Sequence, residues 1–143
     1  MRAPIAVALD APDVDTAARW AQAVTPHVQV VKVGLELFCR TGPSVVDVVR
    51  GGSGVELFLA LKLHDIPNTV AGAARSVARL QPRYLTVHAT GGADMVRAAV
   101  EAAPDVRIAA VTVLTSMTPQ ALDAVGLAGP PLAAVRRRAV LSV

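Results

Sequence analysis

The chain has 143 residues, 53% of them hydrophobic, and its formal charge of +3 comes from 12 arginines and 2 lysines against 11 acids, a length suited to one domain with its own core. Apart from Arg136, Arg137 and Arg138 the arginines are scattered, and only four residues are aromatic, so neither the basic patch nor the stacking platform of a nucleic-acid binder is present. Mean hydropathy is +0.49, yet apolar stretches such as 108–111 with its extension through Leu114 fall far below the roughly 18 residues of a membrane span, Asp10 interrupts the first apolar run before a signal-peptide core could form, and the reading is a cytoplasmic protein.

In chain order, residues 5–9 (IAVAL) form a candidate strand. Residues 14–24 follow as a helix, with Val14, Ala17, Ala18, Ala21 and Val24 at helical spacing and Asp13 placed to cap it. A strand is expected at 28–33 and a helix at 43–49. Between them lies Cys39, the lone cysteine, which excludes an internal disulfide and reads as a small buried hydrophobe. Strands at 57–61, 84–87 and 108–113 alternate with helices at 69–80 and 93–102. A further helix begins near Pro119, and the last segment, LAAVRRRAVLSV, looks helical. Continuous apolar strands separated by helices imply parallel pairing with both faces covered. That is an α/β chain of five βα units. A closed eight-stranded barrel needs about 250 residues, so the units form either an open doubly wound sheet or the first part of a barrel, in a single partial domain spanning 1–143.

Ligands of parallel β/α folds collect at the carboxyl ends of the strands. The polar residues there are Asp10, Lys32, Lys62, Asp65, His88, Thr115 and Ser116. A lone lysine at a strand end ordinarily extends its ammonium into water. Here both lysines of the chain occupy such ends, and a chain otherwise built with arginine has reason to keep lysine where a proton must be given and regained. Asp10 could equally form a turn before Ala11 and Pro12, His88 could be a packed histidine, and Thr115 and Ser116 could cap the next helix. Gly91 and Gly92 are a weak phosphate signal without a complete glycine-rich loop. Metal-ligand clusters and a GxSxG elbow are absent from the sequence, which disfavours metal-assisted hydrolysis and triad chemistry.

VALD at 7–10, VKVGLELF at 31–38, LALKLHDIPNTV at 59–70, LTVHATGG at 85–92 and VTVLTSM at 111–117 together closely resemble the bacterial type of the orotidine 5'-phosphate decarboxylase family, in the family's order and over nearly the whole chain. The resemblance implies a (β/α)8 barrel acting as a homodimer without cofactor or metal, converting orotidine 5'-phosphate to UMP. By position, Lys62 resembles the lysine that protonates C6 of the pyrimidine. Lys32 resembles the lysine bridging the charge network and the ribose, and Asp10 the acid holding a ribose hydroxyl. Asp65 and Thr69 resemble residues reaching across the dimer interface, and Thr115 with Ser116 matches the segment contacting the pyrimidine. Alternating lysines and aspartates would hold each ammonium charged and in place.

Two departures stand out. The family's motif is Asp-x-Lys-x-x-Asp, and its first aspartate is replaced here by Ala60. A lower decarboxylation rate is expected, with binding retained better than turnover. The resemblance also implies that three βα units, including the family's phosphate-gripping glutamine and arginine, lie beyond what this chain contains. The open sheet would then leave its edge strands unpaired and part of its barrel-facing side uncovered. Two other readings stay open: a non-catalytic nucleotide-binding or assembly protein, and a magnesium-using sugar-phosphate decarboxylase of the same superfamily.

Overall fold

The computed structural model describes residues 1–127 and 129–141; residues 142–143, the tail of the expected last helix, lie outside the described residues. Strands β1 (Ala3–Ala8), β2 (Val28–Gly34), β3 (Glu56–Leu63), β4 (Tyr84–His88) and β5 (Arg107–Val111) form one sheet in the order β1-β2-β3-β4-β5. All four pairings are parallel. A doubly wound sheet reverses its strand order at a switch point, whereas here each strand pairs with its successor. Right-handed crossovers then put the connecting helices on one face. The fold is a half-barrel.

The helices are α1 (Val14–Val24), α2 (Leu35–Thr41), α3 (Val45–Arg50), α4 (Pro67–Ala78), α5 (Ala93–Ala102), α6 (Pro119–Ala124) and α7 (Pro131–Leu141). Asp13 caps α1 as expected, its carboxylate accepting the Thr16 N–H at 2.7 Å. That bond, above all its backbone donor, holds the Asp13 pKa below its ordinary value. Helix α4 opens on Pro67, whose missing N–H costs nothing in a first turn.

The sheet's two faces are chemically distinct. Val31, Val33, Leu57, Leu59, Leu85 and Val87 are fully buried against the helices, each such side chain contributing about 1.5–3 kcal/mol. On the barrel-facing side, Phe58 pairs with Tyr84 in register, ring centroids 5.5 Å apart, and the Arg107 guanidinium lies 6.0 Å above the Tyr84 ring. The expected uncovered surface is present at the β1 edge, where Pro4, Ile5, Ala6 and Ala8 are exposed.

Helix α2 was not expected. Only Leu37 of its residues is buried, so it leaves no periodic stripe to read. Its existence corrects the reading of Cys39, which is exposed: two residues beyond Leu37, it is turned roughly 200° around the helix, away from the core. Strand β5 ends at Val111 rather than at 113 because its partner β4 ends at His88, the residue facing Val111.

Candidate functional site

Three strands bring the central residues together. Lys32 lies on β2 between Ala8 of β1 and Phe58 of β3, and Gly34 faces Ala60. Asp10 follows β1, which is extended by a bond from the Leu9 N–H to the Lys32 carbonyl at 2.9 Å. Asp10, Lys32, Gly34, Glu36, Ala60 and Lys62 line one cleft of about 200 Å³ at the carboxyl ends of β1 to β3. Gly34 makes room there: a Cβ on it would stand 3.2 Å from Asp10 Oδ1.

Lys62 is held in an unusual way. Its φ is +51°, a left-handed conformation shared among non-glycine described residues only with Gln81. Such a conformation costs an L-residue about 1–2 kcal/mol. The strand register explains it. Leu59 faces Leu85 and Leu63 faces Val87, so residues 60, 61 and 62 of β3 lie opposite the single residue Thr86 of β4. The resulting bulge turns the Lys62 N–H toward the Thr86 hydroxyl, which accepts it at 2.8 Å. Bulges of this kind re-aim side chains beside functional sites.

The alternating charge array is not closed among the described residues. Among the described residues the salt bridges join Arg40 to Glu36, Arg83 to Glu56 and Arg97 to Asp94, and none includes Lys32 or Lys62. Asp65, exposed in the loop after β3, turns its carboxylate back onto the Ile66 N–H at 2.7 Å. Thr69 is exposed near the start of α4. Neither lines the cleft. The cleft thus presents two ammonium groups, Lys32 and Lys62, and two carboxylates, Asp10 and Glu36. Glu36 is paired with Arg40 at 3.6 Å, which leaves the two ammonium groups as the charges open to an anion.

Thr115 and Ser116 are exposed, outside the cleft, in the segment where the Met117 N–H bonds the Leu114 carbonyl. They do not cap α6, contrary to one expectation; Thr118 does, accepting the Ala121 N–H at 3.2 Å. His88 is half-buried and packs its ring 5.4 Å from that of His64. Desolvation first, then the positive potential of His64 and Lys62, lowers its pKa from the ordinary 6.5. Both histidines border a second hollow of about 320 Å³ with Thr112, Leu114 and Met117. A wider groove of about 860 Å³, bordered by Arg50, Arg79 and Arg83, opens at the amino ends of β3 to β5 and contains none of the expected site residues.

Sequence reasoning passed over Gly34, His64 and Thr86. A signal existed for Thr86: it is the polar residue between two apolar ones in LTV, and period-two alternation sets it on the barrel face.

The model of the orotidine 5'-phosphate decarboxylase / HUMPS family matches residues 3–142. The chain belongs to this family. It is 72% identical over 143 residues to orotidine 5'-phosphate decarboxylase of Thermobifida fusca, covering all of this chain and 61% of that one. The enzyme of the same name from Frankia casuarinae is 60% identical over 159 residues, covering 99% and 58%. Against these family members the chain spans about three fifths of their length. Among solved structures, an uncharacterized conserved protein from Geobacillus kaustophilus superposes with a TM-score of 0.90 at 36% identity, covering 97% of this chain and 68% of that one. Orotidine 5'-phosphate decarboxylase from Lactobacillus acidophilus gives 0.86 at 32%, covering 97% and 66%. The half-barrel is therefore the family's fold in part.

Proposed function

We propose that the chain carries the lysine-bearing part of a cofactor-independent orotidine 5'-phosphate decarboxylase site, and that Ala60 makes this form slow while leaving it able to bind the nucleotide. The observation that carries this reading is the convergence of Lys32, Lys62 and Asp10 on one cleft in which neither lysine has a carboxylate in ion-pairing range among the described residues. Such a site suits a ligand bearing a carboxylate and a phosphate.

In the reaction, the bond from C6 of the pyrimidine to the carboxylate breaks, carbon dioxide leaves, and its electron pair stays on C6. The ring delocalises that charge poorly. An ammonium about 4 Å away is worth about 4 kcal/mol at an effective dielectric of 20, or about three powers of ten in rate. Lys62 supplies that charge and then its proton to C6, giving UMP, and the amine takes a proton back from water. Lys32 and Asp10 hold the ribose. Asp65 and Thr69, exposed and outside the cleft, serve the site of a second copy in a homodimer.

An aspartate at position 60 would press against the substrate's carboxylate and brace Lys62. With Ala60, 5% exposed, both effects are lost. That substitution favours a second reading, a nucleotide-binding protein without turnover. Loss of orotidine 5'-phosphate absorbance separates the two. Ala60→Asp should raise turnover by several orders of magnitude, and Ala60→Asp with Lys62→Ala should abolish it. If Ala60→Asp stays at the level of the Lys62→Ala blank while the nucleotide still binds, the binding-protein reading prevails.

A further inference from the structure

We propose that Thr86 is a positioning residue for Lys62: its hydroxyl, by accepting the Lys62 amide N–H, locks the left-handed bulge of β3 that delivers the Lys62 side chain to the cleft. Three observations meet at this point. Lys62 has φ +51°, the β3–β4 ladder is broken between Leu59 and Leu63, and the Lys62 N–H ends on Thr86 Oγ1 at 2.8 Å.

In an unbroken parallel ladder the Lys62 N–H would bond a carbonyl of the neighbouring strand. The bulge takes it out of that register, and a part-buried amide without a partner is unfavourable. Thr86, only 6% exposed on the barrel face, supplies the missing acceptor. The displacement at stake is large. Continuing the Leu59 to Leu85 register would set Lys62 opposite His88 instead of Thr86, two residues further along β4. At about 3.3 Å per residue that is roughly 6–7 Å. An ammonium moved so far leaves the level of Lys32 and Asp10.

The claim about backbone conformation stands on the geometry alone; its consequence for ligand rests on the proposed decarboxylase site. The two are tested separately in protein labelled with ¹⁵N and ¹³C at lysine, which has two lysine signals, assigned with Lys32→Arg. Thr86→Val keeps the branched shape and removes the acceptor; Thr86→Ser keeps the acceptor. Thr86→Val should move the Lys62 amide and Cα shifts toward extended values and speed its hydrogen exchange on the order of tenfold, with Lys32 unmoved and Thr86→Ser close to the parent. Should Thr86→Val not fold, Thr86→Ala carries the same comparison. An unchanged Lys62 amide in the acceptor-free variant overturns the proposal, as does an equal change in Thr86→Ser. Orotidine 5'-phosphate is then titrated while the Lys62 Cε signal is read. Thr86→Val should weaken that response about tenfold while Thr86→Ser stays close to the parent, and an undiminished response in Thr86→Val would refute the positioning role. If the parent protein itself gives no response, the decarboxylase reading fails and the amide measurement still decides the claim about Thr86.

Discussion

The rings of His64 and His88 lie 5.4 Å apart, tilted by 40°, at the carboxyl ends of β3 and β4. Desolvation, His64 and Lys62 all oppose a proton on His88 and lower its pKa. A group with a depressed pKa binds fewer protons folded than unfolded, so its contribution is present above the unfolded value of about 6.5 and is lost as pH falls through the folded one. Melting temperature should therefore drop as the buffer is taken from pH 7.5 to pH 5, and less steeply in His88→Asn. Parallel curves for the two proteins would remove His88 from the account.

Lys62 sits in a conformation that favours glycine. Lys62→Gly should relieve about 1–2 kcal/mol of backbone strain, offset in part by glycine's entropy of about 0.5–1 kcal/mol. Thermal melts should show a Tm raised by roughly 2–4 °C together with loss of nucleotide binding. A Tm that falls would mean the left-handed turn is not strained.

Gly34→Ala would bring a methyl group to 3.2 Å from Asp10 Oδ1. The carboxylate must give way by a few tenths of an ångström, which should cost about tenfold in nucleotide affinity, or about 1.4 kcal/mol, with little change in Tm. Calorimetric titration of UMP checks this, and unaltered affinity would show that Asp10 is not held in place by its neighbour.

Gly91→Ala probes the fold instead. The added Cβ would fall inside the envelope of Met95 Sδ, so the Met95 side chain, flexible but fully buried, must swing aside within the core. A loss of about 1–3 kcal/mol is expected from overpacking, read as a lower denaturation midpoint in urea.

Much of this was legible in the sequence because parallel strands are continuous apolar runs and their ends announce the site. The helix over Val14–Val24 and its Asp13 cap, the helix over Ala93–Ala102, and the grouping of Asp10, Lys32 and Lys62 all follow from period and position. What was not legible depends on register. No pattern in LALKLHD announces that residues 60–62 bulge opposite Thr86, since a bulge is a relation between two strands rather than a property of either. Helix α2 buries one residue and so has no periodicity, which also hid the exposure of Cys39. Alternation of βα units alone fits both a doubly wound sheet and a barrel; the family resemblance implied the barrel, and the strand order β1-β2-β3-β4-β5 agrees with it.

The central claim is that Lys32 and Lys62 face one anionic nucleotide in one cleft. Titrating orotidine 5'-phosphate into lysine-labelled protein tests it most directly, because each of the two lysines reports separately. The account predicts that both side-chain signals move along a single saturable curve and that Asp10→Ala weakens both together. Movement of neither, or of one lysine alone with the other unmoved at saturation, would contradict it.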